Sequence, residues 1–267
     1  MRTSRTTPPF SSPETTGDAI RLTCPRSWDE LTGKQLRYVL HLLSADADLT
    51  EDDVKTFCFV RFAGLSIIES TPDGATFAVG KGRSRRFFTL TNDEIASFIS
   101  QLNFIFRPEL YTCRLDVCAE RQALNTDLDG VNFRAYLVLE NYYQAYLANP
   151  ADRDALIAMG GILYPAGPVS GSTADASFSP AELTNIFLWY THFKHQLTQE
   201  FPRLFAPASG GQSAPDMTTQ MNSQIRALTG GDVTKEEQVF QTDLRRALTE
   251  LEAKVRDADE LRRQTKK

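Results

Sequence analysis

The sequence predicts a mainly α protein with a small antiparallel β element (an α+β class), built as a helical body followed by a C-terminal amphipathic helical arm. Apolar residues recur three and four apart through most of the chain, which is helical spacing. Turn residues bound a short stretch rich in β-forming residues near 65–90. A Pro-, Gly- and Ser-rich segment at 206–216 separates the last helices from the rest.

These patterns divide the 267 residues into four segments. Residues 1–20 are polar with few large apolar groups, and we expect a disordered tail. Residues 21–205 form the mostly helical body, 206–216 the linker and 217–267 the arm. The chain has no N-terminal apolar segment of secretory type and no run of about 18 apolar residues, so neither a signal peptide nor a membrane span is expected.

The first half of the body has clear start and stop signals. Thr32 followed three residues later by Gln35 is a capping-box pattern, and acidic residues at 51–53 follow a second start signal. Gly64 is a suitable end for the second helix. Three strands are then expected at 65–69, 75–79 and 85–90, as a β-meander or hairpin, with turn residues at 71–74.

The second half of the body is predicted to be helical. A capping box at 91–94 opens a helix that we expect to reach Phe106, just before Pro108. Residues 109–130 are ambiguous, and 110–117 fit one strand. Further helices are expected at 131–148, at 152–163 and from Pro180 to the region of Phe201.

The arm contains two apolar stripes on either side of a Gly-Gly break at 229–232. A capping box at 234–237 is expected to open a single last helix. The linker composition favours a detachable arm. The alternative is that both helices fold back and complete the core of the body. The stripe residues are Met217, Met221, Ile225 and Leu228 before the break, and Phe240, Leu244, Ala247, Leu248, Leu251, Val255 and Ala258 after it.

Catalytic residues are not recognisable in the sequence. His192 and His195 are three apart on one helix, but no cysteine or carboxylate joins them at metal-motif spacing. His41 stands alone, and neither a P-loop nor a G-x-S-x-G motif is present. We therefore expect no catalytic residues, no metal, no cofactor and no enzymatic activity.

The four cysteines indicate an intracellular setting. Cys24, Cys58, Cys113 and Cys118 include no C-x-x-C pair, and Cys58 lies in an apolar run that predicts a buried thiol. We expect reduced thiols and a cytoplasmic location.

One dense basic patch stands out from a chain whose net charge is −5. Lys81, Arg83, Arg85 and Arg86 lie beside Phe87 and Phe88 in the predicted hairpin. Cations next to aromatic residues can bind single-stranded nucleic acid, or dock an acidic partner. A solvated β-ribbon is the competing interpretation. The net charge argues against nucleic acid as a general partner.

The arm is the better candidate for a binding surface. Methionine and leucine on an amphipathic face are adaptable contact residues. The residues expected to contact a partner are Met221, Ile225, Leu228, Phe240, Leu244, Leu248 and Leu251.

Three stretches carry a resemblance to a known family: 27–36 (SWDELTGKQL), 136–143 (YLVLENYY) and 225–236 (IRALTGGDVTKE). Together they resemble a family encoded in phages and prophages of Bacteroidales-type gut bacteria, whose members sit among tail genes and are similar to tail assembly chaperones. The resemblance spans roughly residues 21–262, and its motifs are structural and contain no catalytic residues.

The resemblance implies an interaction protein of the host cytoplasm. Such a chaperone coats the tape-measure helix, recruits tail-tube subunits and leaves the finished particle; self-association also remains open. One alternative is a structural virion component of the tail or connector. Another is a nucleic-acid-binding protein that uses the hairpin 81–88.

Overall fold

The computed structural model describes residues 20, 22–45, 47–166, 177–206 and 217–265. The predicted tail, apart from residue 20, and the predicted linker, apart from residue 206, lie outside these ranges. The chain divides into two compact units, Met1–Leu110 and Tyr111–Lys267. Helices predominate in the described ranges and the sheets are small and antiparallel, which confirms the predicted fold class.

The first unit begins with two capped helices, α1 (Gly33–Leu43) and α2 (Glu51–Phe62). The predicted capping box at Thr32 is present, and an equivalent box formed by Thr50 and Asp53 opens α2. The hydrogen bonds from the Thr50 hydroxyl and backbone N–H lower the pKa of the Asp53 carboxyl. Gly64 ends α2 with a φ of 65°, as predicted.

A three-stranded antiparallel meander follows, with β1 (Leu65–Thr71), β2 (Gly74–Val79) and β3 (Arg86–Thr91) in that spatial order. Pro72 and Asp73 connect β1 to β2, and β1 contains one register irregularity between Ile67 and Glu69. Phe77 of β2 pairs with Phe88 of β3 and packs on Phe59 of α2. Because side chains alternate across a sheet, Phe87 and Thr89 lie on the opposite face.

The helix after the sheet is shorter than expected. α3 spans Asn92–Ile99, and a 3₁₀ segment, Ser100–Phe106, continues from it. The prediction of one α-helix to Phe106 was therefore wrong. The 3₁₀ segment buries Leu102, Phe104 and Ile105, and it brings Phe104 edge-on to the buried Trp28. Tertiary packing of these apolar groups accounts for the tighter winding.

The first strands of the second unit form a short antiparallel hairpin of two residues each, β4 (Val117–Cys118) and β5 (Arg121–Gln122). The single strand expected at 110–117 is not formed. Instead, Tyr111 and Leu115 are buried, and both donate hydrogen bonds to the side chain of Asn185 in a later helix. The segment left unassigned by its sequence is thus organised by distant residues.

Three helices form the centre of the second unit: α4 (Phe133–Ala148), α5 (Arg153–Leu163) and α6 (Pro180–Glu200). α5 packs against both of the others. A Cβ at Gly160 would lie 2.6 Å from the Phe178 ring and 2.8 Å from Ile186, so glycine permits the close approach of α5 to α6. All three helices were predicted, with ends within two residues of those observed.

Asn185 of α6 is fully buried and uses its whole amide group. Its Oδ1 accepts hydrogen bonds from the Tyr111 hydroxyl (2.7 Å) and from the N–H of Leu115 (2.9 Å). Its Nδ2 donates to the Tyr164 hydroxyl (2.8 Å) and to Cys118 Sγ (3.8 Å). Burial raises the pKa of both tyrosines. The network fixes segment 111–118 against α6 without an unsatisfied amide.

Three more helices complete the second unit: α7 (Met217–Thr229), α8 (Glu236–Phe240) and α9 (Leu244–Thr265). The single last helix predicted from 234–237 onward was wrong, because 241–243 interrupt it. The described helices include none that is both long enough and apolar enough to cross a membrane.

Candidate protein-interaction site

The C-terminal segment reverses direction at two glycines. Gly230 and Gly231 have φ values of 64° and 84°, a conformation that costs energy for residues with a Cβ. Asp232 then caps the short 3₁₀ turn Val233–Lys235. Hydrogen bonds from the Thr234 hydroxyl (2.7 Å) and N–H (3.0 Å) lower the pKa of the Asp232 carboxyl. The reversal brings α9 back against α7.

Backbone hydrogen bonds attach the α8–α9 break to the start of α4. The N–H of Phe133 donates to the Thr242 carbonyl at 2.8 Å, and the N–H of Leu244 donates to the Val131 carbonyl at 2.9 Å. The residues between these pairs form an isolated antiparallel bridge. Polar backbone groups that a continuous helix would have paired internally are thus satisfied by the first residue of α4 and by the segment just before it.

The side chain of Arg134 in α4 contacts two residues of α8. Its guanidinium forms an ion pair with Glu237 and lies 4.7 Å from the centre of the Phe240 ring. Hydrogen bonding from Gln241 and the charge of Arg134 lower the pKa of the Glu237 carboxyl. Because these side chains are partly exposed, the ion pair adds little stability and serves mainly to orient the ring.

α9 is also tied to the end of α6. Arg245 forms ion pairs with Glu200, the last residue of α6, and with Asp129 at 3.5 Å. The Glu252 carboxylate accepts hydrogen bonds from the backbone N–H of Leu204 (2.7 Å) and of Arg203 (3.3 Å). The structure therefore has the docked arrangement of the C-terminal helices, and the detachable arm favoured by the linker composition is not observed.

The docking divides the predicted contact residues into two groups. Leu244, Leu248 and Leu251 are buried in the core of the second unit. They are not exposed to a partner in this structure, which corrects the expectation that they form an open stripe. The half-buried group retains some accessible surface: Met221, Ile225, Leu228 and Phe240.

A groove of about 410 Å³ lies between α7, α8 and α9. Half-buried Leu228 and Val239 and buried Ala247 supply its apolar surface. Arg246 and Glu250, one helical turn apart and both exposed, add one charge of each sign. The remaining lining residues are Thr242 and Thr249. Three apolar and four polar or charged residues therefore line the groove. A concave surface of this mixed character can receive side chains of a partner.

The second half of α9 carries no buried residue after Leu251 in its described part. Val255 is half-buried, and Ala258 and Leu261 are exposed. Lys254 pairs with Glu250 at 3.3 Å, which is one helical turn away. Beyond the groove, α9 therefore continues as a largely solvated helix with scattered apolar residues. This part of α9 is about 20 Å long at 1.5 Å per residue.

A second, smaller cavity of about 220 Å³ lies under α7. Met221 lines it, together with Glu140 of α4 and Lys194 of α6. These two charges form a 2.7 Å ion pair, and the Glu140 side chain is 7% exposed. Gln144 (2.9 Å) and the Tyr190 hydroxyl (3.2 Å) also donate to this carboxylate. Both carboxylate oxygens therefore have partners within the protein, which favours a structural role for the ion pair.

The predicted basic patch lies in the first unit and is exposed. Lys81 and Arg83 lie in the connection between β2 and β3, which contains a 3₁₀ turn, Gly82–Ser84. Arg85 follows this turn, and Arg86 begins β3. The sequence correctly indicated four neighbouring cations on a hairpin.

The histidines and the cysteine singled out in the sequence lie on helices of the two units. His192 and His195 are half-buried on α6, and His195 Nε2 lies 2.9 Å from Gln199 Nε2. No group of three or more His, Cys, Asp or Glu residues there is placed to hold a metal ion. Burial raises the pKa of Cys58 to about 12, so this thiol remains protonated near neutral pH.

Several groove residues were absent from the predicted contact set: Val239, Thr242, Arg246, Ala247, Thr249 and Glu250. Arg246, Thr249 and Glu250 share one face of α9 by their spacing of three and four, and Thr242 lies just before that helix. This polar spacing is visible in the sequence, but the predicted contact residues were chosen from the apolar stripe, which lies on the opposite, buried face of α9.

Comparison of the chain with protein-family models, curated proteins and solved structures gives no match.

Proposed function

We propose that this protein is a non-enzymatic assembly factor of the phage tail assembly chaperone type. In this proposal it binds a tape-measure-like helical protein through the groove between α7, α8 and α9. It also recruits tail-tube subunits, and it acts in the cytoplasm of the bacterial host. The supporting observation is the groove itself, because its three apolar residues and its two exposed charges of opposite sign suit an amphipathic helix.

The groove supports a helical partner more than a small molecule. Val239 and Leu228 lie on different helices, so apolar contacts are offered along the groove and not at one point. Arg246 and Glu250 are one turn apart on α9, the spacing at which a partner helix presents complementary charges. A helix that inserts apolar residues three and four apart would satisfy both features.

The resemblance to tail assembly chaperones is the reason for naming the tape-measure helix and tail-tube subunits as partners. A permanent virion component would use the same groove chemistry. Protein composition of purified particles separates the two roles, because an assembly chaperone is absent from the finished particle.

The groove is tested by a matched pair of valine variants of the full-length chain. Val239→Glu places a carboxylate on the half-buried groove wall, whereas Val233→Glu places one nearby at a side chain that is 73% exposed. In co-expression pull-downs with the tape-measure-like protein of the same genome, we expect Val239→Glu to reduce capture at least roughly tenfold. Val233→Glu should bind like the unmodified chain.

Circular dichroism and thermal melting of both variants establish that each is folded before binding is compared. Equal capture of folded Val239→Glu and Val233→Glu would remove the groove from the proposal. Failure of the unmodified chain to capture the helical protein would remove that partner altogether.

A further inference from the structure

The basic edge of the first unit consists of Lys81, Arg83, Arg85, Arg86 and Phe87. All five residues are exposed. The four cations fall within six consecutive positions, in a chain whose net charge is −5. Such a concentration of positive charge favours an oppositely charged partner.

The strand beneath these charges lies at the edge of its sheet. β3 pairs with β2 on one side, and the described sheet has no strand on its other side. Four of its six residues are exposed, including Arg86, Phe87 and Thr89. The outward backbone groups of an edge strand can pair with another extended segment.

Phe87 adds an apolar contact beside the cations. Its side chain is 59% exposed, and it projects from the face opposite Phe77 and Phe59. The Arg85 guanidinium lies 5.1 Å from the centre of its ring. The Arg85–Phe87 pair therefore presents an apolar ring and a positive charge at one place.

Charge is distributed unequally along β3. Arg85 and Arg86 lie at its beginning, whereas Asp93 and Glu94 follow its end, in the first turn of α3. A segment paired antiparallel to β3 would place its C-terminal end beside the arginines. Acidic residues are favoured at that end and disfavoured at the other, so the distribution orients a partner.

We propose that the basic edge binds an acidic segment of a partner protein, which lies in extended conformation along β3. The segment adds a strand to the sheet, its C-terminal carboxylates pair with Arg83, Arg85 and Arg86, and an apolar side chain covers Phe87. This surface is distinct from the groove of the proposed function, because it lies in the other compact unit.

A protein segment suits the surface better than single-stranded nucleic acid. Surfaces that bind single strands offer successive aromatic rings on which bases stack. On the open face of this sheet β3 offers one ring, Phe87, and Arg85 already lies over it. Its neighbours there are Thr76 and Thr89, whose hydroxyls are 3.0 Å apart.

The test measures binding of labelled peptides to full-length protein by fluorescence anisotropy. The probe is a peptide of about ten residues with alternating valine and threonine and a C-terminal Glu-Glu-Glu. Control probes replace the glutamates by lysines, or are an oligothymidylate of similar length. We expect binding of the glutamate peptide alone, weakened by added salt, with slowed amide exchange in β3.

Two triple variants with the same change in net charge identify the surface. Arg83→Ala/Arg85→Ala/Arg86→Ala should weaken binding of the glutamate peptide roughly tenfold or more. The control, Lys34→Ala/Arg37→Ala/Arg107→Ala, removes three exposed cations elsewhere in the same unit. It should change the affinity for the glutamate peptide less than about twofold. Phe87→Ala should weaken binding at unchanged net charge, and all substituted side chains are exposed, so folding should be preserved.

The proposal would be overturned if the two triple variants weakened binding of the glutamate peptide equally. It would also be overturned if the lysine peptide bound as tightly as the glutamate peptide. Tighter binding of oligothymidylate than of the glutamate peptide would replace it with a nucleic-acid surface. Unchanged exchange in β3 on binding of the glutamate peptide would overturn the strand-addition geometry.

Discussion

Two residues of the β4–β5 turn adopt a backbone conformation that favours glycine. Ala119 and Glu120 have φ values of 46° and 61°, the arrangement of a two-residue hairpin turn in which both central residues are left-handed. The N–H of Ala119 donates to Glu182 Oε1 at 2.9 Å, and the other oxygen of Glu182 belongs to the capping box of α6. The hydrogen bond from the start of α6 therefore holds the β4–β5 turn in a backbone conformation that Ala119 and Glu120 disfavour.

Replacing Glu120 by glycine should stabilise the protein, because glycine adopts positive φ without steric cost. We expect Glu120→Gly to raise the free energy of unfolding by about 1 kcal/mol. Gln122→Gly, at an exposed β5 position two residues away, is the control and should lower it by about 0.5–1 kcal/mol. Urea unfolding measures both, and a loss of stability in Glu120→Gly would show that the side chain offsets the strain.

At the scale of elements, local side-chain caps and backbone bonds from distant residues together accompany the ends of the C-terminal helices. The 234–237 pattern predicted a capping box, yet Asp232 caps a 3₁₀ turn there and α8 ends at Phe240. The long helix α9 starts anew at Leu244, where the Asp243 carboxylate accepts from the N–H of Arg246 at 3.1 Å. At the interruption, the backbone groups of Thr242 and Leu244 are bonded by Phe133, the first residue of α4, and by Val131 just before it.

Removing the Asp243 carboxylate should cost the stability of one helix cap. We expect Asp243→Ala to lower the free energy of unfolding by about 1 kcal/mol. Asp257→Ala, an exposed position within α9 that pairs with its neighbour Arg256, should change it by less than about 0.5 kcal/mol. Thermal and urea unfolding compare the two variants. An equal loss in both would mean that Asp243 acts through general charge and not as a cap.

At the scale of the whole molecule, the C-terminal helices belong to the second unit. Leu244, Leu248 and Leu251 are each at most 3% exposed. Burial of three leucines contributes about 1.5–3 kcal/mol each, which is comparable to the total stability of a typical domain, about 5–15 kcal/mol. The helices that line the groove are therefore also needed to hold the unit together.

Truncation should distinguish the docked half of α9 from its solvated half. A chain ending at Ala206 loses the three leucines, and we expect loss of cooperative unfolding and of near-ultraviolet circular dichroism for the second unit. A chain ending at Arg256 keeps them and should lie within about 1 kcal/mol of the full-length protein. Cooperative unfolding of the shorter chain with unchanged stability would show that docking contributes little.

Much of the fold followed from local sequence, because the relevant interactions join residues at most four apart. The boxes at Thr32 and Thr91, the turn at Pro72 and the start of α6 at Pro180 are of this kind. The candidate site was only partly predictable. Leu228, which was predicted to contact a partner, lines the groove, but the leucines after the break were assigned to a surface and are core.

The sequence by itself determined the mainly helical class, the meander at 65–90 and the position of the basic edge, because periodicity, turn residues and exposed charge are local properties. Tertiary structure alone decided that the C-terminal helices dock, that α9 begins at Leu244 and that a groove opens beside Leu228. The contacts responsible join segments that are distant in sequence, and the 2.8 Å bond from Phe133 to Thr242 joins residues more than a hundred positions apart. An amphipathic helix specifies that it has an apolar face, but its own sequence does not specify what covers that face.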